Sequence, residues 1–217
     1  MPASQTQAQL RKWFARWGLP GQLRVDNGTP WGSSNDLPTP LALWLVGLGI
    51  AMHWNDPNSP QQNGVVERSM GTLKRWTEPQ TCVSIAEWQE RLDHAERLYR
   101  EEYPLPSGVT RWQQWPGLRH SGRRYSRAWE KREWSLAKAL EHLANYTLNR
   151  TVSSSGHLSL FNRSYHVGSL LVGKAVKVCL DPQTVHWVVL DRRSAAQLRS
   201  IAAETVNRKH IVEMLDM

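Results

Sequence analysis

Cysteine is almost missing from this sequence, which contains only Cys82 and Cys179 among its 217 residues. The two cysteines lie far apart in the chain, and neither has a second ligand at the spacing of a metal site. This scarcity excludes a disulfide framework and a cysteine-type zinc site. It is typical of a protein in a reducing compartment.

Long apolar runs are missing as well. The longest one, Leu41–Met52, is too short to span a bilayer and is interrupted by Gly47 and Gly49. The residues that follow Met1 are polar and do not form a secretory signal. We therefore expect a soluble cytoplasmic protein without a membrane partner.

Acidic residues are outnumbered by basic ones. The chain has 19 Asp and Glu against 27 Lys and Arg, which gives a formal net charge of +8. Such an excess of positive charge favours a polyanionic partner, and nucleic acid is the commonest of these. The alternative is a protein that is merely basic, and composition alone leaves both interpretations open.

What the sequence does contain is an alternation of helical and extended patterns in its first third. Hydrophobic spacing predicts helices at 5–17 and 39–48 and strands at 22–25 and 50–54. Asp26 falls at the carboxyl end of the first predicted strand, and Asn27 and Gly28 supply a turn directly after it. The alternation indicates an α/β layer with this acidic residue at the edge of its sheet.

Glu67 is the second acidic residue of interest, on a helix predicted at 66–76 after a loop rich in turn-forming residues. The apolar stripe of this helix consists of Val66, Met70 and Leu73. Helical geometry places Glu67 beside the stripe, at the rim of the core, together with Lys74. If Asp26 and Glu67 meet at the sheet edge, their oxygens suit Mg²⁺. The alternative is that Asp26 caps a turn and Glu67 interacts with the helix dipole.

The second half of the chain changes in character. Ser84 and Glu87 predict the capped start of a helix that ends before Pro104, and a shorter helix is predicted at about 133–147. Beyond residue 150, short strands separated by turns predict a small antiparallel β-barrel of about five strands. The residues predicted to alternate inward are Val176, Val178, Leu180, Val188 and Leu190. Trp13, Trp17 and Trp88 occupy apolar helical positions and are predicted to pack in the core.

The residues around the two acids resemble a known family. The segments "LRVDNGTPW" and "WNDPNSPQQNGVVERSMGTLKRW" look like the catalytic core of the retroviral-integrase-like transposases of bacterial insertion sequences, which use an Asp-Asp-Glu triad. The family's Asp-Asn-Gly segment, which holds the second acid, matches Asp26, Asn27 and Gly28. Its Pro-x-x-Asn-Gly-x-x-Glu-Arg segment, which holds the third, matches Pro60, Asn63, Gly64, Glu67 and Arg68. The stretch "GHLSLFNRSYHVGSLLVGKAVKV" is similar in layout to the barrel that follows the core in Mu-like transposases.

The resemblance implies an α/β fold with an RNase H-like core, two Mg²⁺ ions, and DNA cleavage and strand transfer. In that chemistry one ion activates the attacking hydroxyl and the other stabilises the leaving 3′ oxygen. Asp26 and Glu67 would be catalytic metal ligands. The implied partner is DNA, bound by a homo-oligomer, with the protein associated with the nucleoid when bound.

The expected domains are a partial RNase H-like core at 1–103, a basic linker and helix at 104–149, a small β-barrel at 150–192 and a partly helical tail at 193–217. The core departs from the family at its start, because none of the 25 residues before Asp26 is Asp or Glu. We therefore expect a truncated core without its first strands and first catalytic Asp, and hence an incomplete metal site. A separately encoded N-terminal transposase fragment is then a candidate partner. The alternative function is a non-catalytic DNA- or protein-binding remnant of a transposase.

Basic residues supply the candidate DNA contacts, most of them in the linker. Arginines interleaved with Tyr125 and Trp129 suit phosphate contact and stacking, and the alternative is a solvated connector between two domains. The candidate DNA-binding residues are Lys74, Arg75, Arg119, Arg123, Arg124, Arg127, Lys131 and Arg132.

Overall fold

The computed structural model describes residues 1–32, 37–161 and 163–213, and the chain divides into two compact units. The first unit comprises Met1–Lys12, Pro20–Asn55 and Ser126–Met217, and the second comprises Trp13–Leu19 and Asp56–Tyr125. The described helices are α1 (Ala3–Trp17), α2 (Pro40–Gly47), α3 (Gly64–Thr77), α4 (Ile85–Glu101), α5 (Arg111–Gln114), α6 (Arg127–Glu133), α7 (Leu136–Ala144) and α8 (Arg208–Glu213). None of them is long and apolar enough to cross a membrane.

The described strands are β1 (Gln22–Val25), β2 (Ala51–Trp54), β3 (Leu148–Thr151), β4 (His157–Leu160), β5 (Arg163–His166), β6 (Ala175–Asp181), β7 (His186–Asp191) and β8 (Gln197–Ala202). All eight belong to the first unit, whereas the described part of the second unit is helical. The fold is therefore mixed α/β, as the sequence predicts. An RNase H-like identity for it stays a proposal.

The first unit is built around a short parallel sheet and a helix that is buried along most of its length. β1 pairs with β2 in parallel, from Gln22 opposite Ala51 to Val25 opposite Trp54. The connecting helix α2 begins after Thr39, whose side chain accepts a hydrogen bond from the Ala42 backbone N–H. Its residues 41–45 are 0–1% exposed, which explains the continuous apolar run in the sequence. The predicted strand–helix–strand order is confirmed here.

A buried carboxylate joins four segments of the first unit. Glu130 of α6 is fully buried, and both of its oxygens accept hydrogen bonds from Arg11 of α1, at 2.6 and 3.2 Å. Arg127 donates to Oε1 at 2.7 Å, and the Trp44 indole N–H donates to the same oxygen at 3.2 Å. Arg208 of α8 donates to the backbone oxygen of Glu130. The charge of Glu130 is thus compensated by two guanidinium groups.

The C-terminal strands form antiparallel sheets without the closure that the sequence predicts. β3, β6, β7 and β8 make a four-stranded sheet in the order β3-β6-β7-β8, and β4 and β5 make a separate hairpin. Within the described ranges no closed barrel is found, because β3 and β8 are the edges of one sheet and the hairpin forms its own ladder. The predicted barrel is therefore confirmed only as antiparallel strands.

The predicted inward face is correct for β6 and wrong for β7. Val176, Val178 and Leu180 are buried, but on β7 the buried residues are Trp187 and Val189, whereas Val188 and Leu190 are half-buried. The strand register explains the difference: Leu180 faces Trp187 and Val178 faces Val189, so these pairs share one side of the sheet. On β7 the side chains of both faces are apolar. Alternation in the sequence therefore does not show which face is buried.

The strand region also extends beyond the predicted range of 150–192. β3 begins at Leu148, and β8 lies at Gln197–Ala202, within the predicted tail. The tail then contains α8, and its last four residues, 214–217, lie outside the described part of the chain. The helix predicted at 133–147 is observed as α7, Leu136–Ala144.

The second unit contains the helical pair α3 and α4. Thr77, at the end of α3, accepts hydrogen bonds from two side chains of α4, the Trp88 indole at 3.4 Å and the Arg91 guanidinium at 3.4 Å. Ser84 caps α4 as predicted, accepting from the Glu87 N–H at 3.1 Å. The Glu87 carboxylate accepts a hydrogen bond from the Val83 backbone N–H at 2.9 Å. In a capping box the donor would be the backbone N–H of the N-cap residue, here Ser84.

The apolar stripe of α3 is not buried, contrary to the prediction. Val66 is 61% exposed and Met70 is 52% exposed, because the contacts of α3 with α4 involve the later turns of α3. Trp13 and Trp88 are likewise 57% and 38% exposed, so the prediction that they pack in the core is wrong. Helical spacing identified the apolar faces correctly but not whether they are covered.

Candidate functional site

Asp26 occupies the position that the sequence predicts, directly after the carboxyl end of β1. Its side chain is exposed, and Oδ1 accepts a hydrogen bond of 3.2 Å from the Gly28 backbone N–H. This is the geometry of an Asx turn, which folds the Asn-Gly segment back over the carboxylate. The turn-capping role and a metal-ligand role are compatible, because a carboxylate has further lone pairs.

The turn around Asp26 is fixed to the neighbouring strand. The Asn27 side chain donates to the Asn55 backbone oxygen at 2.7 Å, and the Asn55 N–H donates to the Val25 oxygen at 2.8 Å. The Trp54 indole donates to the Trp31 oxygen at 3.3 Å. The carboxyl ends of two parallel strands therefore share this edge, which is where ligands bind in open α/β sheets.

His142 lies beside the same edge. Its ring stacks on Trp54 with 6.4 Å between the ring centroids, and its Nε2 is 3.4 Å from the Tyr146 hydroxyl. Burial lowers the pKa of His142 and raises the pKa of Tyr146. Both shifts favour the neutral form near pH 7, so this pair adds no charge to the edge.

Glu67 lies in the first turn of α3, as predicted. The chain enters this helix through a 3-10 turn at Pro60–Asn63, and α3 begins at Gly64. Glu67 and its neighbour Arg68 are both exposed. Lys74 and Arg75 lie in the last turn of the helix, also exposed.

Asp26 belongs to the first unit and Glu67 to the second. The expectation that the two carboxylates share one cleft stays a prediction. Among the described residues, no group of three or more His, Cys, Asp and Glu side chains could hold a metal ion. Each carboxylate nevertheless has the donor chemistry that Mg²⁺ prefers, namely exposed, hard oxygen atoms.

Two other acidic residues of the first unit, Asp181 and Asp191, have structural roles. Asp181 accepts hydrogen bonds from Thr184 at 2.6 Å and Gln183 at 3.0 Å, and these bonds lower its pKa. Asp191 accepts from the backbone of Ser194 and Arg193, which lowers its pKa in the same way. Both carboxylates stabilise turns between strands, so neither competes with Asp26 as a site residue.

The predicted basic linker is divided between the two units. Arg119, Arg123 and Arg124 belong to the second unit and Arg127, Lys131 and Arg132 to the first. Within the described ranges Arg127 pairs with the buried Glu130 at 2.7 Å and Arg132 pairs with Glu133 at 2.6 Å. Tyr125 is buried against Phe14, with 5.8 Å between the ring centroids, and is therefore not available to stack on a base.

A second concentration of arginine, which was not predicted as a group from the sequence, lies within the second unit. There Arg16, Trp17, Arg100, Trp112 and Arg119 form an alternating series of stacked groups, which we call the Arg–Trp ladder. The only signal in the sequence is the adjacency of Arg16 and Trp17. The other members come from distant segments, so local spacing could not reveal them.

No family model matches this sequence. Among solved structures, similarity is found to a chain in the cryo-electron microscopy structure of the simian T-cell lymphotropic virus intasome in complex with PP2A regulatory subunit B56 gamma. The two chains share 16% sequence identity, with a TM-score of 0.44. The match covers 94% of this chain and 63% of that chain, so this chain spans less than two thirds of the length of the chain it matches.

Proposed function

We propose that this chain is a DNA-binding protein of the integrase-like transposase type, with a truncated RNase H-like core. Asp26 and Glu67 are metal ligands of a site that serves DNA cleavage and strand transfer in the parent family and is incomplete here, so the chain alone is inactive. The observation that carries the proposal is the Asp26 turn. An exposed carboxylate follows a parallel strand, Gly28 holds one of its oxygens, and Asn27 anchors the turn to Asn55. A ligand held in this way is pre-organised for a metal ion.

The chemistry proposed for the two acids is limited to binding the metal. When bound, Mg²⁺ would supply Lewis acidity at the reacting phosphate and would lower the pKa of an attacking hydroxyl. Asp26 and Glu67 would provide anionic oxygens that hold the ion in place. Two carboxylates can hold one Mg²⁺ when water completes its octahedral shell.

The first prediction concerns metal binding by the whole chain. We expect titration calorimetry with Mn²⁺, used in place of Mg²⁺, to detect a site that is weakened about tenfold or more in either Asp26→Asn or Glu67→Gln. Each substitution removes one of two anionic ligands, and an ionic interaction of about 1.4 kcal/mol already corresponds to a factor of ten.

The control variant is Glu204→Gln, which changes the charge by the same amount at an exposed residue outside the candidate site. Equal affinity in this variant and in the unmodified chain would show that the effect is specific. Equal affinity in Asp26→Asn would contradict the proposed role of Asp26. A loss in only one of the two site variants would contradict the sharing of one ion.

The second prediction concerns DNA. Binding to duplex DNA should be largely independent of sequence and should weaken steeply with salt, because basic side chains that contact phosphates release counterions. Replacing Arg123 and Arg124 with alanine should flatten the slope of log affinity against log salt by about 1.8, at about 0.9 per phosphate contact. An unchanged slope would show that these two residues are a solvated connector.

The second candidate function is a binding protein without catalysis. It is favoured by the net charge of +8 together with the absence of a three-ligand metal cluster from the described residues. The two experiments separate the candidates. Salt-dependent DNA binding without a metal site that depends on Asp26 and Glu67 would favour the non-catalytic function.

A further inference from the structure

The Arg–Trp ladder brings several cations together on the second unit. Arg16 and Arg100 lie over the Trp17 ring, at 4.4 and 4.2 Å from the ring centre. Arg100 and Arg119 lie over the Trp112 ring, at 5.8 and 4.8 Å. Stacking on an indole leaves the edges of a guanidinium group, where its N–H donors lie, available for other partners.

The ladder lines a cavity of about 830 Å³ within the second unit. This volume lies in the range of about 300–1,000 Å³ that is typical of ligand pockets. Its lining residues are Arg16, Trp17, Glu90, Asp93, His94, Arg97, Arg100, Glu101, Trp112 and Arg119. The cavity therefore offers arginine donors, aromatic rings and carboxylate acceptors to one ligand.

Three of the arginines that line the cavity make no direct ion pair with the residues that the structure describes, although carboxylates line the same cavity. Arg16, Arg97 and Arg119 form no ion pair with any residue in the described ranges, whereas Arg100 pairs with Glu96 at 3.1 Å. Guanidinium groups in this state attract phosphate, which they bind through two parallel hydrogen bonds.

Two hydrogen-bond donors of the ladder are also unsatisfied within the described ranges. Arg100 Nε and the Trp112 indole N–H are buried and have no hydrogen-bond partner in the part of the chain that the structure describes. Buried donors without acceptors are uncommon in native proteins and call for an explanation. Both belong to residues that line the cavity, so a small shift of the ladder around a ligand rich in oxygen atoms would satisfy them.

The carboxylates distinguish a nucleotide from a simple anion. Glu90, Asp93 and Glu101 face the same cavity and would repel a bare phosphate or an acidic peptide. A nucleotide unit combines a phosphate, which arginine binds, with a flat base that stacks on indole or guanidinium groups. The amino groups of a base can donate to carboxylates, as cytosine N4 does to Glu or Asp.

We propose that this cavity binds a nucleotide unit of single-stranded nucleic acid. The inference goes beyond the proposed function and does not depend on Asp26 or Glu67. A strand is favoured over a free nucleotide because the net charge of +8 attracts a polyanion far more strongly than a single phosphate group.

The experiment measures the binding of a fluorescein-labelled, mixed-sequence single-stranded DNA of ten nucleotides by fluorescence anisotropy. Arg97→Ala combined with Arg119→Ala should weaken binding about 100-fold at low salt, or about tenfold per lost charged contact. The slope of log affinity against log salt should become flatter by about 1.4, at about 0.7 per contact on a single strand.

The matched control is Arg192→Ala combined with Arg193→Ala, which removes two exposed arginines from the turn between β7 and β8. This variant should change the affinity by less than about threefold, since it alters only the net charge at long range. Arg97→Glu, at an exposed residue, provides a second test if the double variant has a lower melting temperature than the unmodified chain.

Three further measurements test whether the ligand is a single strand. An unlabelled single strand should compete, and a mononucleotide at the same concentration should not. A duplex of equal length should lose much less than 100-fold affinity in the double variant. Asp26→Asn and Glu67→Gln should bind the single strand normally even if the proposed metal site fails. Equal losses in the double variant and its control, competition by the mononucleotide, or an equal loss for the duplex would each overturn the inference.

Discussion

Replacing Glu130 with alanine is expected to lower the free energy of unfolding by about 3–5 kcal/mol, because the change leaves buried positive charge without its partner. Arg11, whose side chain is 18% exposed, makes two hydrogen bonds to the carboxylate, and the Trp44 indole makes a third. Desolvation of the remaining guanidinium group cannot be relieved without moving α1 away from the core. Urea denaturation followed by circular dichroism measures the effect.

Glu133→Ala is the matched control for this prediction. Glu133 lies on the same helix and pairs with Arg132, but both side chains are exposed, at 46% and 72%. Exposed ion pairs contribute about 0–1 kcal/mol, so this variant should stay close to the unmodified chain. Similar losses in the two variants would mean that the buried ion pairs of Glu130 contribute no more to stability than the exposed pair of Glu133.

Gly47→Ala is expected to destabilise the protein by about 1–3 kcal/mol or more, although alanine is the better helix former. A β-carbon at Gly47, which is buried in α2, would overlap the Nε1 and Cε2 atoms of Trp134. That indole is 3% exposed and donates to the Trp44 backbone oxygen at 2.9 Å, so it has little room to move. Thermal denaturation gives the expected loss as a lower melting temperature.

Gly71→Ala, on α3, is expected to raise the stability that Gly47→Ala lowers. Gly71 is exposed within α3, and an added β-carbon would meet no atom within 4 Å. Here only propensity acts, so the variant should gain about 0.5–1 kcal/mol of stability. A gain for both glycine variants would show that the packing of Trp134 against α2 is looser than the structure indicates.

The local elements were largely predictable from the sequence. The bounds of β1 and the start of α4 follow from short-range signals, namely an extended apolar segment before Asn-Gly and a serine at the N-cap. The position of Asp26 after a parallel strand was predictable for the same reason, since strand and turn are adjacent in sequence. Such signals act over a few residues and need no knowledge of the rest of the chain.

The long-range features were not predictable in this way. Arg11 and Glu130 are 119 residues apart in the sequence, and no periodic pattern marks them as partners. The phase of β7 depends on its register with β6, which brings Trp187 opposite Leu180. Whether the apolar stripe of α3 is buried likewise depends on which elements pack against it, and the sequence of the helix does not show that. Pairing and coverage are tertiary properties, and they override local pattern.

The candidate site divides in the same way. Asp26 and Glu67 were singled out as candidate site residues from the sequence, because each lies within a contiguous motif. The Arg–Trp ladder combines residues from the end of α1, from α4, from α5 and from the turn after it. Of its arginines, only Arg119 was predicted from the sequence as a DNA contact, and nothing in the sequence linked it to Arg16 and Arg100. Only the structure shows that they stack on two tryptophan rings.

The order in which the two units are encoded has a consequence for synthesis of the chain. The second unit is largely continuous and ends at Tyr125, whereas the first unit needs both the first helix and the last one. Arg11 and Gln7 donate to the backbone oxygen of Val212, at 2.9 and 3.0 Å. The ribosome adds about 5–20 residues per second, so the roughly 87 residues after Tyr125 take about 4–17 s to appear. During that interval the first part of α1 and the whole of α2 lack the partners that are encoded after Tyr125, so the apolar surface of α2 stays uncovered.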